Sequence, residues 1–185
     1  MGAGVIPFCR HDGDTVFLLT RSFTGRKAGY LNDFGGGTDP GETYRQTAVR
    51  EFVEETETLF LERDLGRALR TPERVARQIE QVDTLFQNTL SAHPHWWCRR
   101  ETGSGHPPKD WVTFFVEMPW RDTAPLNRAW ALDKGQRFSR RRALSWISAD
   151  VLVDLYRQHP ERLWKRVRQL NGAVELIREI ARNRT

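Results

Sequence analysis

Three glutamates, Glu51, Glu54 and Glu55, stand at positions i, i+3 and i+4 of one short segment. On a helix, at about 100° per residue, that spacing confines three carboxylates to one stripe about 100° wide. Like charges so close repel one another, and a cation relieves the repulsion. Hard oxygen donors suit Mg²⁺ or Mn²⁺, which keep coordination positions for water and substrate. Arg50, four residues before Glu54, can orient a carboxylate or screen the cluster. The competing reading is a solvated acidic face with Arg50 as an ordinary ion-pair partner.

Such a stripe needs a helix that buries one side and presents the other. Val49, Phe52 and Val53 supply the apolar side, rotated from the acids, and the pattern predicts a helix over about 40–57. Asp39 is the expected N-cap, Pro40 fits the first turn, and Glu42 is the capping-box partner. Ahead of it, Gly4–Arg10 and Thr15–Arg21 read as a β-hairpin around His11-Asp12-Gly13-Asp14. A Gly/Lys/Arg loop (Thr24–Gly29) then leads through Leu31–Phe34 to Gly35-Gly36-Gly37. Downstream, Val75, Ile79, Val82 and Phe86 mark a second helix over Pro72–Leu90. Strands are expected over His95–Arg100, Trp111–Met118 and Ala143–Ile147, the first two joined by the Thr102–Lys109 loop. Helices are expected over Ala149–Gln158 and, as one long C-terminal element, Glu161–Arg182. Strands interleaved with helices imply α+β or an α/β/α sandwich.

The longer pattern is more specific. Gly36, five residues, Glu42, seven residues, then Arg50-Glu51-Phe52-Val53-Glu54-Glu55 resembles the Nudix box, the loop-helix-loop signature of the Nudix hydrolases. The resemblance implies a Nudix-like α/β/α sandwich with a mixed central sheet and the box helix packed on it. It implies that Glu51, Glu54 and Glu55 hold Mg²⁺ or Mn²⁺, that the Gly36 carbonyl adds a ligand, and that Arg50 and Glu42 brace the loop. The implied activity is hydrolysis of a diphosphate linkage by water attack at phosphorus, releasing two phosphorylated products. Glu54, Glu51 and Arg50 would take part in the chemistry; a late carboxylate can also serve as base, and of Glu101 and Glu117 the second is favoured because it closes a predicted strand. The segment Ala143–Asp150 is similar to the apolar-Trp strand ending that often precedes a late helix in this family. Three features depart from the box. Glu57 stands where the family has glycine, Thr58 where it has an apolar residue, and Asp33-Phe34 replace the usual pair before the glycines. Glutamate is disfavoured in a left-handed turn, so the helix is expected to run on or end differently.

At 185 residues the chain suits one domain, residues 1–185, with helix 72–90 as an insertion and 149–182 as a basic helical extension. No apolar run approaches a membrane span and the first residues lack a secretory signal, so a cytoplasmic protein without a membrane partner is expected. Cys9 and Cys98 are too few for a disulfide framework, leaving room for one bridge at most. The five histidines show no metal spacing. All 29 bases except Lys27, Lys109, Lys134 and Lys165 are arginine. They are unevenly placed, 14 bases against 17 acids up to residue 120 and 15 against 7 beyond it. This favours a phosphorylated partner, because guanidinium groups grip phosphate oxygens in pairs.

Candidate phosphate contacts are Arg21, Arg26 and Lys27 around the loop, and Arg140 and Arg141 within the cluster Arg137, Arg140, Arg141, Arg142. Trp96, Trp97 and Trp111 can stack a nucleobase or simply pack. The leading expectation is a phosphorylated small-molecule substrate, a nucleotide or dinucleoside polyphosphate. The rival readings are a non-catalytic ligand sensor on the same scaffold, an RNA 5′-end (cap or triphosphate) pyrophosphohydrolase, and an inositol pyrophosphate hydrolase. Monomer and homodimer are both open.

Overall fold

The computed structural model describes residues 1–62, 64–65, 71–101, 110–133 and 142–183. Its centre is a mixed sheet built around the hairpin. Strands β1 (Gly2–His11) and β2 (Asp14–Ser22) run antiparallel, with Phe8 opposite Phe17 and His11 opposite Asp14. Asp12 and Gly13 both take positive φ, as a type I′ turn requires of an Asp-Gly pair. Beyond Phe8 and Phe17 the strands part, and the segment ahead of the box helix fills the opening. There β3 (Leu31–Asn32) pairs with Thr20 and Arg21, while β4 (Phe34–Gly37) pairs with β1 from Val5 to Gly2. The triple glycine is therefore strand. Close approach explains two of its members: a Cβ on Gly35 would lie 2.4 Å from the Ala3 carbonyl oxygen, and one on Gly36 2.1 Å from Glu51 Oε1.

On its other edge β1 runs parallel to β6 (Trp111–Glu117), from Gly2 opposite Trp111 to Phe8 opposite Glu117. β5 (Trp97–Arg99) extends the sheet beyond β6, and β7 (Arg142–Ser148) pairs with β2. Pro7 sits inside this central strand, where a missing N–H would normally break the ladder. The Phe8 carbonyl accepts from Met118 N–H on the β6 side, so the Pro7 nitrogen points to the opposite edge. That is the gap between the end of β4 pairing at Val5 and the start of β2 pairing at Phe8.

Alternation along β1 divides the core. Ala3 and Val5 join one cluster with α1 (Tyr44–Glu55), α2 (Pro72–Ala92) and α3 (Ala124–Leu132); Ile6 and Phe8 join a second with α4 (Ala149–Gln158), α5 (Lys165–Arg168) and α6 (Ala173–Arg182). Helices on both faces of a mixed sheet make the α/β/α sandwich that the sequence implied. Phe34, Phe52 and Phe60 stack edge to face, with centroids 5.0 and 5.3 Å apart, and seat α1 on the sheet. Cys9 and Cys98 are buried and free. Among the described residues no helix is long and apolar enough to cross a membrane.

Four expectations change. The box helix starts at Tyr44, capped by Thr43, whose hydroxyl accepts from Gln46 N–H while the Gln46 side chain reaches back. Asp39 is not the cap; Gly41, at φ +86°, turns the chain between Asp39 and the helix. The helix stops at Glu55, and Glu57 and Thr58 both adopt left-handed backbone (φ +54° and +61°). The turn that glycine would make is thus made by the residues that replaced it.

The single long C-terminal helix is divided into a 3₁₀ turn (Pro160–Arg162), α5 and α6. Leu163 and Leu170 bridge to Leu31 and Arg100, and Gly172 sits at φ +72° before α6, so sheet-edge pairing replaces helical bonds there. α3 was not foreseen: its polar, Pro-containing start hides the buried Leu126 and Trp130.

Candidate active site

Arg50 organises the outer part of the site. Its Nε and Nη2 donate to the two carboxylate oxygens of Glu42 at 2.7 and 3.0 Å, and Nη2 also reaches the Gly37 carbonyl at 2.9 Å. Nη1 meets Glu51 Oε1 at 3.0 Å and Glu54 Oε2 at 3.4 Å. One guanidinium therefore ties the loop before α1 to two of the three stripe carboxylates. Glu42 also accepts from the Asp39 N–H and the Thr47 hydroxyl. These hydrogen bonds, that of Arg50 foremost, hold its carboxyl down at about 2. Arg50 and Glu42 are thus hydrogen-bonded to each other and to the loop before α1.

The three stripe acids differ in surroundings. Glu51 has 15% of its side chain exposed, Glu55 12% and Glu54 34%, so Glu54 is the one best placed to meet a solute. Burial pushes the Glu51 carboxyl up, Glu55 adds to the rise, and Arg50 opposes it. Its carboxylate occupies the space that a side chain on Gly36 would fill. Glu55 faces inward: Oε2 accepts the Gly35 N–H at 3.0 Å and Oε1 meets Arg142 Nη1 at 3.0 Å.

Behind the glycine strand lies a second, buried ion pair. Asp33, with no exposure, accepts from Arg166 Nε at 2.7 Å and from the Thr113 hydroxyl at 2.9 Å. Arg166 Nη2 donates to the Gly35 carbonyl at 2.8 Å, and its guanidinium lies 4.1 Å over the Trp111 ring. Gly35 is thus gripped twice, its N–H by Glu55 and its carbonyl by Arg166. Lys27 stands within electrostatic reach of Arg166, Glu55, Asp33 and Arg142; burial, then Arg166, lowers its pKa.

The set Glu51, Glu54, Glu55 and the Gly36 carbonyl offers only hard oxygen donors, the kind that Mg²⁺ or Mn²⁺ accepts. The cradle at Gly36, filled by a carboxylate, fits such an ion. Among the described residues, no three His, Cys, Asp or Glu side chains are gathered as a ready metal cage; Arg50 answers the charges of Glu51 and Glu54, and Arg142 that of Glu55.

Several expected residues lie elsewhere. Glu117 is level with Phe8, five residues along β6 from Val112, which is level with Ala3 and so with Gly36. At roughly 3.3 Å per residue that is about 16 Å, too far to act on a water beside Glu51. Glu101 is exposed after β5, its N–H on the Gln169 carbonyl. Trp96 and Trp111 are core residues, leaving Trp97 as the exposed one. Arg21 and Arg26 are exposed near the entrance to the loop. Arg137, Arg140 and Arg141 lie outside the described residues, while Arg142 is buried on Glu55. Asp33 and Arg166 were not anticipated as site residues, since 133 positions separate them and no local spacing marks the pair.

A family model described as NUDIX domain matches residues 1–169. No curated protein matches the chain. Among solved structures, a C. elegans Ap4A hydrolase binary complex is 15% identical with a TM-score of 0.46, covering 97% of this chain and 95% of that one. RenU, a Nudix hydrolase from M. smegmatis, is 16% identical with a TM-score of 0.44, covering 97% and 84%. The NUDIX domain of Shewanella oneidensis NrtR, complexed with ADP ribose, is 15% identical with a TM-score of 0.45, covering 97% and 86%.

Proposed function

The chain belongs to the NUDIX domain family, and from that premise we propose that it is a divalent-metal-dependent hydrolase of a diphosphate linkage in a nucleoside-diphosphate-linked or polyphosphate substrate. The observation that carries this reading is the acidic stripe of α1 lying against the glycine strand, with the Glu51 carboxylate in the space beside Gly36. Glu51, Glu54, Glu55 and the Gly36 carbonyl are the groups that would hold Mg²⁺ or Mn²⁺. Bound there, the ion supplies charge neutralisation for the diphosphate and a more acidic water.

The chain's own residues do the rest. Arg50 fixes the Glu51 and Glu54 carboxylates from one nitrogen and anchors that nitrogen's guanidinium on Glu42 and the Gly37 carbonyl, so the acids are oriented before substrate arrives. Glu54, the most open of the three, positions the attacking water and takes its proton. Glu51, held by the same nitrogen, is the second oriented carboxylate. Arg21, Arg26 and Lys27 meet the phosphates that are not cleaved, and in-line attack releases two phosphorylated products.

The test is a turnover screen with Mg²⁺ and with Mn²⁺ over nucleoside triphosphates, nucleotide sugars, dinucleoside polyphosphates, capped RNA and inositol pyrophosphates. The reading expects cleavage of at least one class into two phosphorylated products, abolished by EDTA and restored by either ion. Binding of a nucleotide without turnover, under both ions, would replace it with the sensor reading.

A further inference from the structure

Arg142 is buried to 7% exposure, and the described partner of its guanidinium is Glu55, 12% exposed, through Nη1 at 3.0 Å. Its Nε is buried and has no hydrogen-bond partner. Among the described residues the arginine therefore answers one carboxylate in the interior, which the hydrolase reading assigns to the metal. A buried guanidinium left with an idle donor is expensive unless it answers a charge that the fold must keep. The acids it serves are crowded: Glu51, Glu54 and Glu55 share one helical face, and Arg50 is already committed to Glu42, Glu51 and Glu54. Glu55 is the member that Arg50 does not reach in this arrangement.

We propose that Arg142 is an internal counter-ion that occupies Glu55 in the metal-free protein and competes with the divalent cation for it. The inference rests on the metal assignment made above. The competition is Coulombic: a cation entering on Glu55 meets a fixed positive charge on the same carboxylate, in surroundings that screen it poorly. Arg142 thereby steadies Glu55 when no cation is bound and sets the metal affinity below what the carboxylates would give without it. The Gly35 N–H on Oε2 is neutral and stays compatible with the ion, so the carboxylate keeps its orientation while its charge partner changes.

The experiment titrates Mn²⁺ into the full chain without substrate, reading free Mn²⁺ by its EPR signal, for wild type, Glu54→Gln, Arg142→Gln and Arg142→Lys. Glutamine can offer Glu55 a neutral donor without the charge; lysine keeps the charge. The inference expects Arg142→Gln to bind Mn²⁺ about tenfold more tightly and Arg142→Lys to stay within about twofold of wild type. In thermal melts the metal-free Arg142→Gln protein should melt lower than wild type and gain more from saturating Mn²⁺. An Arg142→Gln protein that folds only with Mn²⁺ supports the inference equally. Unchanged or weaker Mn²⁺ binding by Arg142→Gln, or failure to fold even at saturating Mn²⁺, overturns it. If Glu54→Gln loses Mn²⁺ while Arg142→Gln matches wild type, the counter-ion role alone falls. If wild type and Glu54→Gln bind Mn²⁺ equally, or neither binds it, the metal assignment is wrong and the inference falls with it.

Discussion

Two arginine–carboxylate assemblies meet at the glycine strand, and they are built differently. The outer one gathers Glu42, Glu51, Glu54 and the Gly37 carbonyl on Arg50, all within 13 residues of it and partly open to water. The inner one, Asp33 with Arg166 and Glu55 with Arg142, joins strands and helices distant in the chain and is almost wholly buried. Solvent near the outer assembly leaves its charges free to be answered by something else, so it suits chemistry. Burial leaves the charges of the inner assembly no answer from water, so each needs a partner inside the fold, and through Glu55 and Arg166 it fixes both polar groups of Gly35 and with them the strand on which Gly36 sits.

The contrast breaks first if the inner pair proves dispensable. Arg166→Met leaves Asp33 charged, buried and short of its main donor, and should destabilise by about 3–5 kcal/mol in urea unfolding, because an uncompensated buried charge retains its full desolvation penalty. Adding Asp33→Leu to the same chain should recover part of that loss. A change under about 1 kcal/mol for Arg166→Met would place the pair in the ordinary surface class.

An outer-assembly counterpart is read in acid. The Glu42 carboxyl is held at about 2 against an ordinary 4.5. A depressed folded-state pKa gives stability that is present above the unfolded value and lost as pH falls through the folded one. Glu42 should therefore cost the protein stability between about pH 4.5 and 2, on the order of 1 kcal/mol after solvent screening. Glu42→Gln should flatten that part of the stability–pH curve; an identical curve would mean that Arg50 and Glu42 are not coupled in solution.

The smallest expected effect lies where α1 ends. Glu57 holds φ +54°, a region that penalises every residue with a Cβ, so Glu57→Gly should stabilise by roughly 1 kcal/mol in thermal melts. Destabilisation would instead show that the buried Glu57 side chain contributes more than its backbone conformation costs. The Gln78 side chain, donating to the Thr58 carbonyl at 2.7 Å from α2, is one contact that holds the turn despite its residues.

This difference between the assemblies also explains what the sequence disclosed. The outer set was legible because its members follow helical and turn spacings: Glu42, Arg50, Glu51 and Glu54 could be named, and α4 was expected at Ala149–Gln158, where it lies. The inner set was hidden. Asp33 looked like a departure from the box, Arg166 like one more base in a basic tail, and Arg142 like part of a phosphate-binding cluster. Each acquires its role only when the strand, the sheet edge and the divided C-terminal segment come together. The same non-local pairing misled the helix expected over 161–182, where Leu163 and Leu170 answer to sheet edges and not to helical neighbours. Glycine propensity hid β4 in a similar way, since the Gly35-Gly36-Gly37 run reads as loop until Ala3 and Glu51 are seen pressing on it.

The central claim is that the stripe of α1 is the hydrolytic metal site, and turnover by Glu54→Gln tests it most directly. On a substrate identified in the screen, with Mg²⁺ saturating for wild type, the variant should lose a factor on the order of 10² or more in kcat while its melting temperature stays at the wild-type value. A folded Glu54→Gln protein that turns over at the wild-type rate would contradict the account.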